Sequence, residues 1–309
     1  MKQTIEPDLK TTLGPLVLKN PVMTASGTFG YGREFEELVE LDRLGAIVTK
    51  GLSLQPKAGN TPPRIVETPS GMLNAIGLAN IGLDAFLKEK VPYFQKLKTP
   101  VIVNIYGHHI DEYEELAKAL KGVEGIAALE VNISCPNVDQ GGMAFGVDPV
   151  VAGRLTERVL KNTDKPVIVK LSPNVTDIRV IAKAVEAAGA QALSLINTLT
   201  GMAIDIKTRR PKLANLRGGL SGPAIRPIAL YMVYQVVQSV SIPVIGLGGI
   251  MDYRDALEFL IAGARAIQVG TANFVDPDAS IKVLDGIRNF CMENGIAHLD
   301  QLIGTFQTG

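Results

Sequence analysis

The chain has 309 residues, 46% of them hydrophobic and 20% charged, enough for a large core. Lysine plus arginine (31) equals aspartate plus glutamate (31), so the strong basic excess of a nucleic-acid binder is missing. The two cysteines, Cys135 and Cys291, cannot build a disulfide framework or supply the roughly four ligands of an iron–sulfur cluster. The chain opens on no charged-then-apolar leader, and no apolar run nears the ~18 residues of a membrane span. These features point to a soluble protein of a reducing compartment, the cytoplasm.

In chain order, residues 9–20 (LKTTLGPLVLKN) read as a β-hairpin turning at Gly14-Pro15, placed to plug the bottom of a barrel. Eight short apolar runs follow: Pro21–Ala25, Ala46–Lys50, Val101–Ile105, Ala128–Ile133, Val167–Leu171, Ala192–Ile196, Pro243–Leu247 and Ala266–Gly270. Near-continuous apolar, β-branched runs suit strands of a parallel sheet buried on both faces. Between them lie helical patterns. Asp111–Lys121 begins with an aspartate cap candidate and carries Leu116 and Leu120 four apart, and Asp177–Ala188 and Tyr253–Ala262 behave alike, with Asp177 and Asp252 near their starts. Strand and helix alternating about eight times predict an α/β fold, a (β/α)8 TIM barrel, over an open doubly wound sheet. The whole of 1–309 reads as one barrel domain. Two long polar connections, 51–77 and 198–223, interrupt the repeat. Both follow strands, which puts them as loop insertions on the C-terminal face, where barrel active sites lie. The basic stretch Lys207-Thr-Arg-Arg210-Pro-Lys212 within the second reads as a solvated loop.

Polar residues gather at the strand ends: Lys50, Asn104, Asn132, Lys170 and Asn197. Ammonium and amide groups are costly in a dry interior without partners. Five at corresponding positions point to a polar, anionic ligand in the barrel mouth. Gly246-Leu-Gly248-Gly249-Ile and Gly270-Thr271 follow the seventh and eighth runs. There, barrel loops bind phosphate through backbone N–H groups. The first is not a dinucleotide fingerprint, because Met251 stands where Gly or Ala is needed. Cys135 follows the fourth run, and Pro136 and Asp139-Gln-Gly-Gly142 come after it, a composition suited to a mobile lid with a reactive thiol. Cys291 lies in a helical pattern and reads as a structural thiol. His108, His109 and His298 show no metal-ligand spacing, so no metal is expected.

Several ordered motifs together resemble the dihydroorotate dehydrogenase family. They are Thr49-Lys50-Gly51-Leu52-Ser53 with Gly59-Asn60-Thr-Pro-Pro-Arg64, Asn74-Ala-Ile-Gly-Leu78, Val131-Asn-Ile-Ser-Cys-Pro-Asn137, Val169-Lys-Leu-Ser-Pro-Asn174, Asn197-Thr198 and Gly248-Gly249-Ile250. The resemblance spans nearly the whole chain. It implies an FMN-binding barrel, one FMN per chain, that oxidises dihydroorotate to orotate in pyrimidine biosynthesis. Cys135 would be the base that removes the C5 proton, with the C6 hydride passing to the flavin. Lys50 would contact flavin and orotate. Asn74, Asn132, Asn197 and Thr198 would bind orotate, with Ala75, Ile76, Gly77 and Leu78 alongside. Ser26, Asn104, Lys170 and Ile196 would hold the isoalloxazine, Gly222, Gly248, Gly249, Gly270 and Thr271 the ribityl phosphate, and Gly51 and Asn132 would also bind the cofactor.

A cysteine base without an N-terminal extension is similar to the soluble class 1 of that family. The run Asn74–Leu78 and Gly218-Gly-Leu-Ser-Gly-Pro223 look like its NAD-linked type. That type implies a homodimer and a heterotetramer with a partner subunit carrying FAD and a [2Fe-2S] cluster, neither of which this chain would hold. The alternatives are the fumarate-dependent type and a dihydropyrimidine dehydrogenase-like flavin barrel. The second belongs to larger chains with several iron–sulfur motifs.

Overall fold

The structure is a computed structural model that describes residues 6–134, 136–137 and 143–307. Eight strands form one parallel ladder: β1 (Val22–Thr24), β2 (Ile47–Val48), β3 (Val101–Ile105), β4 (Ala128–Asn132), β5 (Val167–Lys170), β6 (Ala192–Leu195), β7 (Val244–Leu247) and β8 (Ala266–Val269). Their order around the sheet is β1-β8-β7-β6-β5-β4-β3-β2. A parallel bridge between Met23 and Ala46 brings the two edges together, and Gly45 N donates to Val22 O at 2.8 Å. Gly45 has to be glycine, since a Cβ there would lie 2.2 Å from Asn20 O. The eight expected strands are therefore all present, in a (β/α)8 barrel.

Helices cover the outside: α1 (Leu83–Glu89) and α2 (Val91–Phe94), α3 (Ile110–Leu120), α4 (Pro149–Asn162), α5 (Ile178–Ala187), α6 (Arg226–Val237), α7 (Tyr253–Ile261), α8 (Ala272–Val275) and α9 (Ala279–Glu293). Helix α5 buries Ile178, Ile181, Ala182 and Val185, one stripe at helical spacing that packs on the sheet. The Asp177 carboxylate caps α5 by accepting from Arg179 N. Asp252 caps α7 in a reciprocal box with Asp255, satisfying backbone donors that a helix start leaves open. Helix α3 differs from the reading above. It starts at Ile110 with His109 at the cap position, and Asp111 sits inside the first turn. The Glu112 carboxylate reaches back to accept from His108 N at 2.6 Å, so the acidic group serving this start comes from within the helix.

Successive strand residues point to opposite faces, and the core divides accordingly. Val101, Val103 and Ile105 of β3 pack outward with the helices. Ile102 packs inward with Met23, Val48, Ala128, Ile168, Ala192, Ile245 and Ala266, which together with Ala46 form one apolar floor. The hairpin, Thr11–Leu13 paired with Leu16–Leu18, adds Leu13 and Leu18 to that cluster and so plugs the barrel from below. Its turn uses Gly14 at φ 59°.

The two long connections, expected as loop insertions, contain regular structure of their own. Ile65–Thr68, Gly71–Asn74, Gly218–Ser221 and Leu199–Gly201 form a four-stranded antiparallel sheet. Asn74 pairs with Gly219 and Leu73 with Leu220. These partners lie far apart in sequence and are rich in glycine, so no local period announces the pairing. The basic stretch 207–212 is exposed, at the turn and return strand of a small hairpin pairing Ile204–Asp205 with Arg210–Pro211. Among the described residues, no helix is long and apolar enough to cross a membrane.

Candidate active site

Two residues above the apolar floor, the barrel interior turns polar. Ile102 is followed by Asn104, Ala128 by Glu130, Ile168 by Lys170, Ala192 by Ser194 and Ala266 by Gln268. All five polar residues are 5% exposed or less. They converge on Glu130. One carboxylate oxygen, Oε2, accepts from Asn104 Nδ2 at 2.7 Å and faces Lys170 Nζ at 3.8 Å. The other, Oε1, accepts from Ser194 Oγ and Gln268 Nε2, each at 2.8 Å. A buried carboxylate is tolerated only when paired and hydrogen-bonded, and this one is both. The polar strand ends are thus not all waiting for a ligand: Asn104 and Lys170 already share a protein partner. Sequence reasoning passed over Glu130 because it sits mid-strand between Leu129 and Val131. Its signal was the inward phase it shares with Ala128.

Above this layer opens a cavity of about 840 Å³, within the size range of cofactor sites. Every described residue expected above to hold substrate or cofactor lines it. Ser26 follows β1, and Lys50 and Gly51 follow β2. Asn104, Asn132 and Lys170 come from β3, β4 and β5. Ile196, Asn197 and Thr198 follow β6, Gly248 and Gly249 follow β7, and Gly270 and Thr271 follow β8. Gly222 and the run Asn74–Leu78 descend from the antiparallel sheet over the mouth. Cys135 lies outside the described residues. Ser172, Asn174 and Gln268 line the cavity too and were not singled out. Asn174 ties down the loop after β6, donating to Thr198 O at 3.0 Å and accepting from Thr200 N at 2.9 Å.

The amides are mutually oriented. Asn132 Oδ1 accepts from Ser134 N at 3.1 Å and from Asn197 Nδ2 at 3.3 Å. Asn197 Oδ1 accepts from Thr198 N at 2.8 Å. Leu78 holds a left-handed backbone, φ 58°, which costs a side-chain-bearing residue roughly 1–3 kcal/mol. Its carbonyl is pinned by Tyr106 Oη at 2.8 Å and Asn80 Nδ2 at 2.9 Å. Burial pushes the Lys50 ammonium below the ordinary lysine range; Arg64 adds to this and Glu34 opposes it.

At the far end, Gly222, Gly248 and Gly249 have φ of 94°, 128° and 77°. A Cβ on Gly249 would meet Arg226 N and Gly222 O, both at 2.8 Å, so only glycine lets these loops abut. The Arg226 guanidinium is ion-paired to Asp255 and near Glu258. An anion here would therefore rely on backbone N–H groups and Thr271, whose hydroxyl donates to Ser221 Oγ at 2.9 Å. Cys291 is fully buried, and burial pushes its thiol pKa up. Among the described residues, no group of three or more His, Cys, Asp or Glu is placed to hold a metal.

A closed parallel barrel with an ammonium-, amide- and glycine-lined mouth defines a barrel enzyme for a polar, phosphate-bearing ligand. The chain belongs to the dihydroorotate dehydrogenase family, which it matches over residues 8–291. It is 60% identical over 303 residues to the catalytic subunit of dihydroorotate dehydrogenase B (NAD(+)) of Geotalea uraniireducens, covering 98% of this chain and 99% of that one. It is 59% identical over 302 residues to the protein of the same name from Geobacter sulfurreducens, covering 98% and 99%. With that of Pelobacter propionicus it shares 58% identity over 303 residues, 98% and 100% of the two chains.

Proposed function

We propose that this chain oxidises (S)-dihydroorotate to orotate as the FMN-bearing catalytic subunit of an NAD-linked dihydroorotate dehydrogenase. The observation that carries the reading is the convergence of the family's described site positions on one cavity, in a chain about 60% identical to relatives of that name. FMN fits the donor set. The cavity has one end lined by positive-φ glycines, suited to a phosphate. Its other end carries Asn104, Lys170 and Gln268, and Gln268 Oε1 is a buried acceptor without a partner among the described residues. An unmet buried acceptor costs about 1–3 kcal/mol, which a ligand N–H would offset.

FMN, when bound, supplies a hydride acceptor for C6 of the substrate. The protein's part is binding, orientation and proton transfer. Asn74, Asn132, Asn197 and Thr198 hold the substrate's carboxylate and ring amides, and Gly77 and Leu78 border it. The Lys50 ammonium faces the anionic substrate. Cys135 Sγ takes the C5 proton, so one proton and one hydride leave and a C5–C6 double bond remains. Amide donors near the adjoining carbonyl stabilise the negative charge that develops as the C–H bond at C5 weakens. A thiol with an ordinary pKa of about 8.5 can exchange that proton near neutral pH.

The chain acts as a single FMN-binding barrel domain, 1–309, in the cytoplasm. Electrons leave for NAD⁺ through a partner subunit that carries FAD and a [2Fe-2S] cluster, in a heterotetramer built on a homodimer of this chain. Two cysteines are too few to hold such a cluster here.

The test is anaerobic. The purified chain alone is mixed with dihydroorotate, and flavin absorbance is followed near about 450 nm, using the cofactor's own colour. Bleaching is expected. A yellow protein that stays yellow would reject dihydroorotate as substrate, and a colourless one unable to take up FMN would reject the flavin reading.

A further inference from the structure

We propose that Glu130 is a positioning residue that holds the Lys170 ammonium and the Asn104 amide in place, and thereby sets the reduction potential of the bound flavin. This rests on the FMN reading above and deepens it. Glu130 is itself fully buried. Lys170 and Asn104, the groups it holds, both reach the cavity wall.

The geometry divides the carboxylate into two halves with different work. Its Oε2 side touches Asn104 Nδ2 at 2.7 Å and Lys170 Nζ at 3.8 Å, both from residues that line the cavity, as Gln268 on the other side also does. Its Oε1 side is anchored to two other strands, through Ser194 Oγ and Gln268 Nε2. The carboxylate is therefore held from β6 and β8 and in turn holds β3 and β5. The bond to Glu130 fixes which way the Asn104 amide faces, leaving its carbonyl oxygen and its second N–H to be presented elsewhere. The Lys170 ammonium, 5% exposed, has its charge balanced by this carboxylate rather than by solvent. A flavin gains negative charge on reduction. An ammonium at the cavity wall favours the reduced form, and a carboxylate behind it tempers that preference. Opposed buried charges at this spacing thus act as a setting on the cofactor's potential.

Glu130→Gln isolates the charge. A glutamine of the same shape can keep its oxygen toward Asn104 and Lys170. Its NH₂ would then face Ser194, whose hydroxyl can turn to accept, and Gln268, whose amide can flip and offer Oε1. The hydrogens that Ser194 and Gln268 gave to the carboxylate must then turn to other acceptors, but shape and packing are kept, so the variant is expected to fold and to bind FMN.

The experiment measures the midpoint potential of FMN bound to the purified holoenzyme by dye equilibration, with FMN content recorded alongside. Glu130→Gln should favour reduced over oxidised FMN at least tenfold relative to the parent, a rise of about 30 mV for a two-electron couple. Glu130→Asp, which keeps the charge on a stem one methylene shorter, should shift it the same way by less. Lys170→Met should move it in the opposite direction. General loosening of the site would shift all three alike, so shifts of one sign overturn the proposal, as does a Glu130→Gln ratio of reduced to oxidised FMN within about twofold of the parent's, a shift under about 10 mV. Either Glu130 variant decides the sign alone if the other does not fold. A parent chain that holds no FMN would instead defeat the underlying functional reading.

Discussion

Inside the barrel, one step of two residues separates the floor from the mouth. On the floor, Ile102, Ala128, Ile168, Ala192 and Ala266 meet Leu13 and Leu18 of the plug. Two positions further along the same strands stand Asn104, Glu130, Lys170, Ser194 and Gln268. The backbone geometry is the same and the chemistry is reversed. The floor is dry and interchangeable in kind, because any well-packed apolar set of the right volume would serve. Each mouth residue has a named polar partner, hydrogen-bonded or, for Lys170, ion-paired at 3.8 Å, so its identity is fixed by chemistry. The comparison implies that floor substitutions lower stability and leave the reaction alone, whereas mouth substitutions do the reverse.

The largest effect on the reaction should come from Cys135→Ala, at the proposed base. Removing a general base typically costs 10²–10⁴-fold in rate. Turnover should fall by about that factor while FMN content and the melting temperature stay near the parent's. A variant with parental turnover would remove Cys135 from the base role. On the floor, Ile168→Ala empties part of a layer that is 2% exposed at that residue. It should cost about 2–5 kcal/mol of stability, read by urea unfolding, with turnover per folded, flavin-loaded molecule unchanged. A large kcat loss there, with FMN retained, would break the separation of floor from mouth.

Lys50 sharpens the comparison through pH. Its ammonium is held below the ordinary lysine range by burial first and Arg64 second. Only the protonated form attracts an anionic substrate. Orotate affinity should therefore begin to weaken at a pH below the usual lysine value of about 10.4, by at most about tenfold per pH unit for a single titrating group. Arg64→Gln removes one downward push and should move the onset to higher pH. An onset unchanged in that variant would detach Arg64 from the Lys50 titration.

Much of this division was legible in the sequence, for physical reasons. Strands buried on both faces announce themselves as apolar runs, and all eight were found within a residue or two of their observed limits. Polar residues at strand ends stand out against such runs, which is how Lys50, Asn104, Asn132, Lys170 and Asn197 were singled out. Glu130 and Gln268 share the inward phase and the layer of Asn104 and Lys170 but sit within their runs rather than at the ends, and were hidden because the runs were read as continuous rather than in twos. The antiparallel sheet was illegible for a different reason. Gly218-Gly-Leu-Ser221 and Gly71-Met-Leu-Asn74 have little strand character of their own, and what orders them is the other loop, far away in sequence. The pinning of Leu78 by Asn80 and Tyr106 is likewise a contact between segments that no spacing reveals.

That pinning gives the smallest effect and the finest test. Tyr106 is fully buried, and its hydroxyl donates to Leu78 O at 2.8 Å while accepting from Asn80 Nδ2 at 2.8 Å. Tyr106→Phe removes that hydroxyl, but Asn80 still reaches both Leu78 O and Ser53 Oγ, each at 2.9 Å. Ser53 Oγ, which also donates to Tyr106 Oη at 3.0 Å, keeps Gln55 O at 2.8 Å. The left-handed turn at Leu78 thus keeps one of its two pins, and the loss at the turn itself should be that of one hydrogen bond, about 0.5–1.5 kcal/mol. If the turn serves to present Asn74–Leu78 to the substrate, the loss falls on binding. The substrate KM should rise roughly two- to tenfold, at 1.4 kcal/mol per factor of ten, with kcat and FMN content held. If the same energy appears instead as a lower melting temperature with KM unchanged, the turn belongs to the scaffold. The boundary between stability and function would then run above Leu78 rather than through it.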